Sequence, residues 1–221
     1  MTTRIANQFR TAVWGFLRAM RLGGLLLQIH PKSYLRKRGW FESFRTKRSV
    51  DCNGKLVPWW SYCVADFVEE RLRPEMNVLE FGSGSSTVWL ASRVRQVVTV
   101  ENDPKWASIV RSFIPENVQL IERSNPGSLD FEDLSDSNQQ FDILIVDALA
   151  DRIACAIAGL KMLSEDGVVI WDNTDGPDWP VIHELMGSKG FKEISFSGIA
   201  PQEVAEDRTT VFYRTSNVFS I

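Results

Sequence analysis

Residues 78–87 read V-L-E-F-G-S-G-S-S-T, and this stretch decides the fold. An apolar run, Val78–Phe81, leads directly into a loop that contains Gly82 and Gly84, and a helical pattern follows. Glycines are expected where a strand turns into its helix and a ligand touches the backbone, because a Cβ atom would block the approach. The third glycine of a dinucleotide-binding loop is absent, since Thr87 stands in its place. The stretch therefore predicts a ligand-binding turn at the end of the first strand of an α/β sheet.

Strand and helix patterns alternate downstream of this turn, and continuous apolar runs such as residues 143–146 and 168–171 indicate parallel strands covered on both faces. Two later runs without a helix between them, at residues 191–196 and 209–214, predict an antiparallel hairpin. The fold class is therefore α/β, with helices on both faces of a mostly parallel sheet. The predicted parallel strands are Asn77–Phe81, Gln96–Glu101, Val118–Glu122, Phe141–Asp147 and Gly167–Asp172, and the predicted helices are Ser85–Arg95, Pro104–Ile114, Asp151–Leu163 and Pro180–Met186.

The composition is that of one globular domain with an extension, because 44% of the 221 residues are hydrophobic and no run of 18 apolar residues occurs. Charge is distributed unevenly: residues 1–50 carry a net charge of +10, whereas residues 51–221 carry −13. We divide the chain into a basic helical N-terminal extension, residues 1–58, and a main domain, residues 59–221, whose first predicted helix spans residues 59–72. Such a division suggests a polyanionic partner or a membrane surface.

Two acidic residues flank the glycine loop. Glu80 lies two positions before Gly82, and a buried carboxylate there disfavours a pyrophosphate and favours a cationic group. Glu101 ends the second predicted strand, where a carboxylate can bind both hydroxyls of a ribose. Together these residues favour a nucleoside with a positively charged amino-acid end over a dinucleotide.

The segments V-L-E-F-G-S-G-S-S-T (78–87), V-V-T-V-E-N-D (97–103) and F-D-I-L-I-V-D (141–147), together with the terminal hairpin, resemble the class I S-adenosylmethionine-dependent methyltransferases over roughly residues 59–214. The resemblance implies a Rossmann-like sheet of seven strands, with the last strand inserted antiparallel beside the fifth or sixth. It also implies S-adenosylmethionine as cofactor. The residues expected to hold this cofactor are Glu80, Gly82, Ser83, Gly84, Thr87, Glu101, Asn102, Ser124 or Asn125, and Asp147.

A second polar group lies at the ends of the fourth and fifth predicted strands, where Asp147 and the pair Asp172-Asn173 meet the carboxyl edge of the sheet. Two carboxylates and an amide oxygen suit Mg²⁺ or Ca²⁺. The pattern is similar to that of catechol-type O-methyltransferases, which implies that these three residues are catalytic and hold Mg²⁺. Ala150 stands where those enzymes have a lysine, so the base must come from elsewhere. The alternative is that the three residues only line the cofactor pocket or cap a turn.

The aromatic residues Trp59 and Tyr62 precede the first strand, and His183 follows the fifth, so these three are the candidate acceptor-binding residues. The alternatives are that Trp59 and Tyr62 belong to the ordinary core and that His183 is an exposed helix residue. The expected function is methyl transfer from S-adenosylmethionine to a small-molecule hydroxyl, with or without a metal. Three sparse cysteines fit a reducing compartment, so a cytoplasmic location is expected.

Two other functions remain open at this point. The basic extension suggests a nucleic-acid methyltransferase, although the fourth strand is followed by D-A-L-A (147–150) rather than by the N/D-P-P-Y/F motif of such enzymes. The amphipathic pattern of residues 1–30 suggests a non-catalytic cofactor-binding protein, or peripheral contact with a membrane surface.

Overall fold

The computed structural model describes residues 2–134 and 139–221, and its centre is a seven-stranded sheet in the order β3-β2-β1-β4-β5-β7-β6. The strands are β1 Asn77–Phe81, β2 Gln96–Glu101, β3 Val118–Glu122, β4 Phe141–Val146, β5 Leu163–Trp171, β6 Lys192–Gly198 and β7 Asp207–Tyr213. The helices are α1 Thr2–Ala19, α2 Gly23–Gln28, α3 Tyr34–Arg38, α4 Trp40–Thr46, α5 Tyr62–Glu69, α6 Ser85–Ala91, α7 Pro104–Arg111, α8 Arg152–Leu160 and α9 Trp179–Ser188, with 3-10 turns at Pro126–Ser128 and Phe131–Asp133.

Strand β1 lies near the centre of the sheet, where Val78 pairs with Val97 of β2 and with Ile143 of β4, both in parallel. Strand β7 is antiparallel to β5, with Ile170 opposite Val211, and it lies between β5 and β6. The predicted Rossmann-like sheet with an antiparallel C-terminal hairpin is confirmed, and the last strand lies beside the fifth.

Both faces of the sheet are buried. On one face, Cys155 of α8 and Met186 of α9 belong to the same core cluster as the alternate β1 residues Leu79 and Phe81. On the other face, helices α5 and α6 cover Val78 with side chains such as Val68 and Leu90. Because neither face contacts water, the central strands read as continuous apolar runs rather than alternating ones.

Several element boundaries differ from the prediction. Strand β5 begins at Leu163 rather than Gly167, because Leu163 pairs with Phe141 before an irregularity shifts the register. Helix α6 ends at Ala91, four residues before the predicted end, and α8 starts after the N-cap Asp151, whose side chain accepts from the N–H of Ala154. None of these shifts moves Asp147 or Asp172 from the carboxyl edge.

The described residues of the N-terminal extension form four helices, α1 to α4. Helix α3 contacts the main domain through Arg38, whose Nη1 donates to Asp66 Oδ1 at 2.6 Å, and Trp40 at the start of α4 donates from Nε1 to the carbonyl of Glu203 at 2.8 Å. The division after residue 58 stays a prediction, since the second half of the extension packs onto the domain. Among the described residues, no helix combines the length and apolar character needed to cross a bilayer.

Replacing Gly82 by alanine is expected to lower the free energy of unfolding by roughly 3 kcal/mol or more, since it adds backbone strain to a steric clash. Gly82 has a φ of +96°, and an added Cβ would lie 2.4 Å from the carbonyl oxygen of Asp147. Gly190 is the matched control: its φ is +79°, but no atom lies within 4 Å of an added Cβ. Gly190→Ala should therefore cost only about 1 kcal/mol. Urea unfolding measures both values, and equal losses would contradict the close approach.

Candidate active site

A cavity of about 1000 Å³ opens at the carboxyl edge of the parallel strands. One side of its wall is the glycine loop, residues 83–86. A nonpolar end of the cavity is formed by Trp106, Ile109 and Phe113, from α7 and the residues after it. An acidic end is formed by Asp147, Asp172, Asp175, Glu203, Glu206 and Asp207. Because the strands run parallel, side chains from distant parts of the sequence meet at this edge.

The glycine loop is held by backbone and side-chain hydrogen bonds. The N–H of Gly82 donates to the carbonyl of Val100 at 2.9 Å, which fixes the loop to the end of β2. The N–H of Gly84 donates to Thr87 Oγ1 at 2.9 Å, and Thr87 lies in the first turn of α6. Thr87 is fully buried, whereas Ser83 and Gly84 line the cavity. The loop therefore presents backbone to the cavity, as the two glycines predict.

Glu80 lies beneath the glycine loop, fully buried and outside the cavity wall. Its two carboxylate oxygens accept hydrogen bonds from Ser86 Oγ and Thr87 Oγ1, each at 2.5 Å. Burial raises the pKa of Glu80 to about 7, against the opposing effect of these hydroxyl donors. The structure thus makes Glu80 a support for the start of α6, and its interaction with a cationic ligand stays a prediction.

Glu101 connects the end of β2 to the glycine loop. Its Oε2 accepts from the N–H of Ser83 at 3.1 Å and from Ser83 Oγ at 2.7 Å. Its Oε1 accepts from the backbone N–H groups of Asn102 and Asp103, both at 2.9 Å. Four donors already surround this carboxylate, so a ribose would bind by replacing the Ser83 hydroxyl. Ribose binding by Glu101 stays a prediction.

Sequence reasoning missed the nonpolar end of the cavity. Trp106 is 41% exposed, and its Nε1 donates to the carbonyl of Ser83 at 2.7 Å. Ile109 lies one turn further along α7 and is 52% exposed, so the pair forms an exposed apolar strip beside the loop. The signal in the sequence was the i, i+3 spacing of two large apolar residues on a helix with an otherwise polar exposed face. Ser124 and Asn125, expected near the adenine, are exposed in the turn after β3 and are not on the cavity wall.

The strand-end cluster consists of Asp147, Asp172 and Asn173, and the structure brings all three to the cavity wall. Asp172 Oδ1 accepts from Thr209 Oγ1 at 2.5 Å, and Asn173 Nδ2 donates to Asp207 Oδ1 at 3.0 Å. Burial raises the pKa of Asp147 and of Asp172, and the negative charge of Asp147 raises the pKa of Asp172 further. The acidic end therefore holds carboxyl groups that keep a proton more readily than exposed aspartates do.

The side chain of Arg152 lies among the residues that were expected to bind Mg²⁺. Its Nη2 donates to Asn173 Oδ1 at 2.9 Å and lies 3.4 Å from Asp147 Oδ1, while Nη1 donates to the carbonyl of Asp172 at 2.7 Å. Its Nε donates to the carbonyl of Ala148 at 2.8 Å. Within residues 2–134 and 139–221, no group of three or more His, Cys, Asp or Glu side chains is arranged to hold a metal ion. The predicted magnesium site is not supported, because a guanidinium already uses the oxygens that the ion would need.

The three residues expected to contact the acceptor lie in different environments. Trp59 is 44% exposed and lies on the cavity wall. Tyr62 is buried against Tyr34 with an edge-to-face ring contact, and it lies outside this cavity. His183 lies on the exposed side of α9, where its Nδ1 is 2.9 Å from Glu193 Oε2 of β6. The expectation that Tyr62 and His183 contact the acceptor is not supported, because their helices turn these side chains away from the cavity.

Comparisons with known proteins agree with this geometry. A family model for a methyltransferase domain matches residues 79–174, which contain the glycine loop and the strand-end cluster. This part of the chain is therefore similar to a methyltransferase domain. Among its relatives is the ribosomal protein L11 methyltransferase of Thermosipho africanus, 34% identical over 110 residues, which are 48% of this chain and 40% of that protein.

Two solved structures show the same fold as this chain. A Staphylococcus aureus protein described as a caffeoyl-CoA O-methyltransferase has 16% identity and a TM-score of 0.57, with 86% of this chain and 96% of that chain covered. The O-methyltransferase TomG of Streptomyces achromogenes, in complex with S-adenosylmethionine, has 22% identity and a TM-score of 0.53, with 67% and 77% covered. At these identities the likeness concerns the fold, and the acceptor must be argued from the cavity.

The stability of the cofactor-free protein is expected to fall as pH rises through the titration of Glu80. The unfolded chain releases this proton near pH 4.5, whereas the folded chain keeps it up to about pH 7. Between these values the folded state binds more protons than the unfolded state. The free energy of unfolding therefore decreases by roughly 3 kcal/mol as the pH rises across this range. The isosteric Glu80→Gln variant removes the titration, so its free energy of unfolding relative to wild type should be higher at pH 8 than at pH 5.

Urea unfolding at the two pH values measures this difference. Glu184→Gln, at an exposed position on α9, is the matched control, and its difference from wild type should be the same at both pH values. A Glu80→Gln difference that does not change with pH would contradict the raised pKa.

Proposed function

We propose that this methyltransferase transfers the methyl group of S-adenosylmethionine to a hydroxyl group of a small-molecule acceptor. The observation that carries the proposal is the division of one cavity into a nonpolar end beside the glycine loop and an acidic end at the strand-end cluster. Its volume of about 1000 Å³ is at the upper limit of ordinary small-molecule pockets. Such a cavity has room for a nucleoside cofactor and a second small molecule side by side.

The nonpolar end suits the nucleoside part of the cofactor. Trp106 and Ile109 offer an apolar surface for a planar base. We assign the ribose to Glu101, whose carboxylate accepts from Ser83 of the glycine loop. The backbone at Ser83 and Gly84 is open to the cavity, so the methionine part can lie across the loop. This placement directs the methyl sulfonium towards Asp147 and the acidic end.

Methyl transfer requires an in-line approach and an acceptor oxygen that has lost its proton. As the acceptor attacks, the bond between carbon and sulfur breaks, its electron pair stays on sulfur, and the new bond between oxygen and carbon forms. The acceptor proton passes to a carboxylate, for which Asp147 and Asp172 are placed on the cavity wall. Burial raises the pKa of Asp147 to about 6, which brings it closer to the value that favours general-base catalysis near neutral pH, and burial also raises the pKa of Asp172.

The charges around the cavity favour a small molecule over a nucleic acid. Six carboxylates line the described part of the cavity, against the three cationic side chains of Lys47, Arg48 and Arg152. A phosphate backbone at this entrance would meet a net negative wall, and nucleic-acid sites normally show the opposite sign. The relative that acts on ribosomal protein L11 makes a protein acceptor the alternative to test.

The test is turnover with S-adenosylmethionine and three acceptor classes: a panel of phenols and catechols, ribosomal RNA, and ribosomal protein L11. Formation of S-adenosylhomocysteine with the phenolic panel alone is the expected result. Asp147→Asn should lower kcat at least about 100-fold through loss of the base, with cofactor affinity retained. Asp175→Asn, at an exposed carboxylate of the same acidic end, is the matched control and should keep most of the rate.

Two results would overturn the proposal. Transfer only to RNA or to protein L11 would replace the small-molecule acceptor. Tight binding of S-adenosylmethionine without transfer to any of the three classes would instead favour a non-catalytic cofactor-binding protein.

We also propose that α1 and α2 contact an anionic membrane surface, which would give the protein a cytoplasmic, membrane-peripheral location. Large apolar side chains are exposed along these helices, including Phe16 at 64% and Leu25 at 65%. Residues 1–41 contain eight Lys and Arg residues and no acidic residue. Exposed apolar side chains beside exclusively basic ones fit the interface of an anionic bilayer. The exposed large apolar residues of this surface are Val13, Phe16, Met20, Leu22, Leu25, Leu26, Leu27 and Ile29.

Co-sedimentation with vesicles tests the membrane contact. Wild type should bind vesicles that contain phosphatidylglycerol and bind purely zwitterionic vesicles more weakly, because both apolar burial and charge contribute. The double variant Leu25→Glu/Leu27→Glu should lose most of this binding, whereas Val204→Glu, at a residue 83% exposed elsewhere on the surface, should not. Unchanged vesicle binding by the double variant would contradict the membrane contact. It would also be contradicted if wild type binds no vesicles but self-associates, and the double variant loses this self-association.

A further inference from the structure

Arg152 occupies a position that the metal-dependent pattern reserves for a divalent ion. It is the first residue of α8, so the helix start directs its side chain back to the ends of β4 and β5. There the guanidinium contacts an oxygen of Asp147, the side-chain oxygen of Asn173 and the carbonyl of Asp172. Its side chain is 22% exposed and forms part of the cavity wall.

A divalent ion and this guanidinium exclude each other. The ion would need the same Asp147 and Asn173 oxygens, since those are the ligands that the strand-end pattern supplies. An arginine does not release its proton at accessible pH, so its positive charge cannot be removed to admit the ion. Two cations that share these oxygens would repel each other in a partly buried site.

We propose that Arg152 is a built-in cation that takes the place of a metal at the strand-end cluster and binds the acceptor oxygen. A guanidinium has five N–H donors, and the four contacts to Ala148, Asp172, Asn173 and Asp147 leave one on Nη1 without a partner among the described residues. That donor belongs to a side chain on the cavity wall. The fixed charge also holds Asp147 and Asn173 in place, as a metal would.

The consequence for the reaction rests on the proposed function. If the acceptor is a hydroxyl compound, its oxygen becomes negative as the proton leaves, and a preorganised cation beside it stabilises that charge. The exclusion of a divalent ion does not depend on the acceptor, because it follows from the arginine and its partners alone. The two parts can therefore be tested separately.

The first experiment measures binding of Mn²⁺ to the full-length protein with S-adenosylhomocysteine, by electron paramagnetic resonance. Wild type should bind no Mn²⁺ at millimolar concentration. Arg152→Met removes the charge at similar side-chain length and should create a Mn²⁺ site at least about tenfold tighter than any in wild type. Adding Asp147→Asn to this variant should abolish the site. Arg48→Met, which removes another cation from the cavity wall, is the matched control and should leave the protein without a Mn²⁺ site.

Arg152→Lys keeps the charge and covers the case in which Arg152→Met does not fold, because it should exclude Mn²⁺ as wild type does. Wild-type binding of Mn²⁺ that Asp147→Asn removes would overturn the proposal. A folded Arg152→Met protein that gains no Mn²⁺ site would also overturn it.

The second experiment uses turnover of the phenolic acceptor panel. The wild-type rate should be the same with a chelator and with added Mg²⁺, and Arg152→Lys should lower kcat without changing cofactor affinity, since the planar donor geometry is lost. A rate that requires Mg²⁺ would overturn the role of Arg152. If no acceptor in the panel is methylated, the proposed function fails, while the Mn²⁺ experiment still decides whether Arg152 replaces the ion.

Discussion

The contact between the backbone of Gly82 and the carbonyl of Asp147 determines the geometry of the whole site. A side chain at Gly82 would lie 2.4 Å from that carbonyl, so only glycine lets the loop after β1 cross so close to the end of β4. Hydrogen bonds fix the crossing on both sides: Gly82 donates to Val100, and the N–H of Asp147 donates to Phe81, each at 2.9 Å. The ends of three neighbouring strands thereby form one continuous floor. The loop that we assign to the cofactor and the carboxylates that we assign to the acceptor are positioned by the same few atoms.

The strand ends that form this floor carry buried carboxyl groups whose desolvation is only partly offset by hydrogen bonds within the fold. Glu80 and Asp172 are nearly or fully buried, and burial raises the pKa of each. Hydroxyl donors from Ser86, Thr87 and Thr209 offset part of the desolvation. A ligand with positive charge offsets more of it, and S-adenosylmethionine carries a sulfonium and an ammonium group. Binding of S-adenosylmethionine as proposed would therefore recover stability that the free protein lacks.

The sequence predicted the elements that depend on local pattern and missed those that depend on packing. Apolar runs were enough to find the central strands, because a strand buried on both faces leaves a continuous signature. The two terminal strands, of which β6 is largely exposed, were found from two short runs with no helix between them. The start of β5 at Leu163 escaped, since it depends on pairing with Phe141 across a register shift. His183 and Tyr62 were misplaced because a helix periodicity does not say which neighbour each side chain meets. Trp106 and Ile109 were missed because their i, i+3 spacing on α7 does not show that this exposed pair lines a cavity.

The strand-end cluster shows why a shared motif does not fix its cation. Asp147, Asp172 and Asn173 offer oxygens that would serve a magnesium ion and a guanidinium equally well, since both are recognised by carboxylate and amide oxygens. The choice is made by a residue outside the cluster. Here Ala150 stands where a lysine was expected, and two positions later Arg152 begins α8 with its side chain directed at the cluster. A single arginine at a helix start therefore decides whether these oxygens hold a metal or a permanent charge of the protein itself.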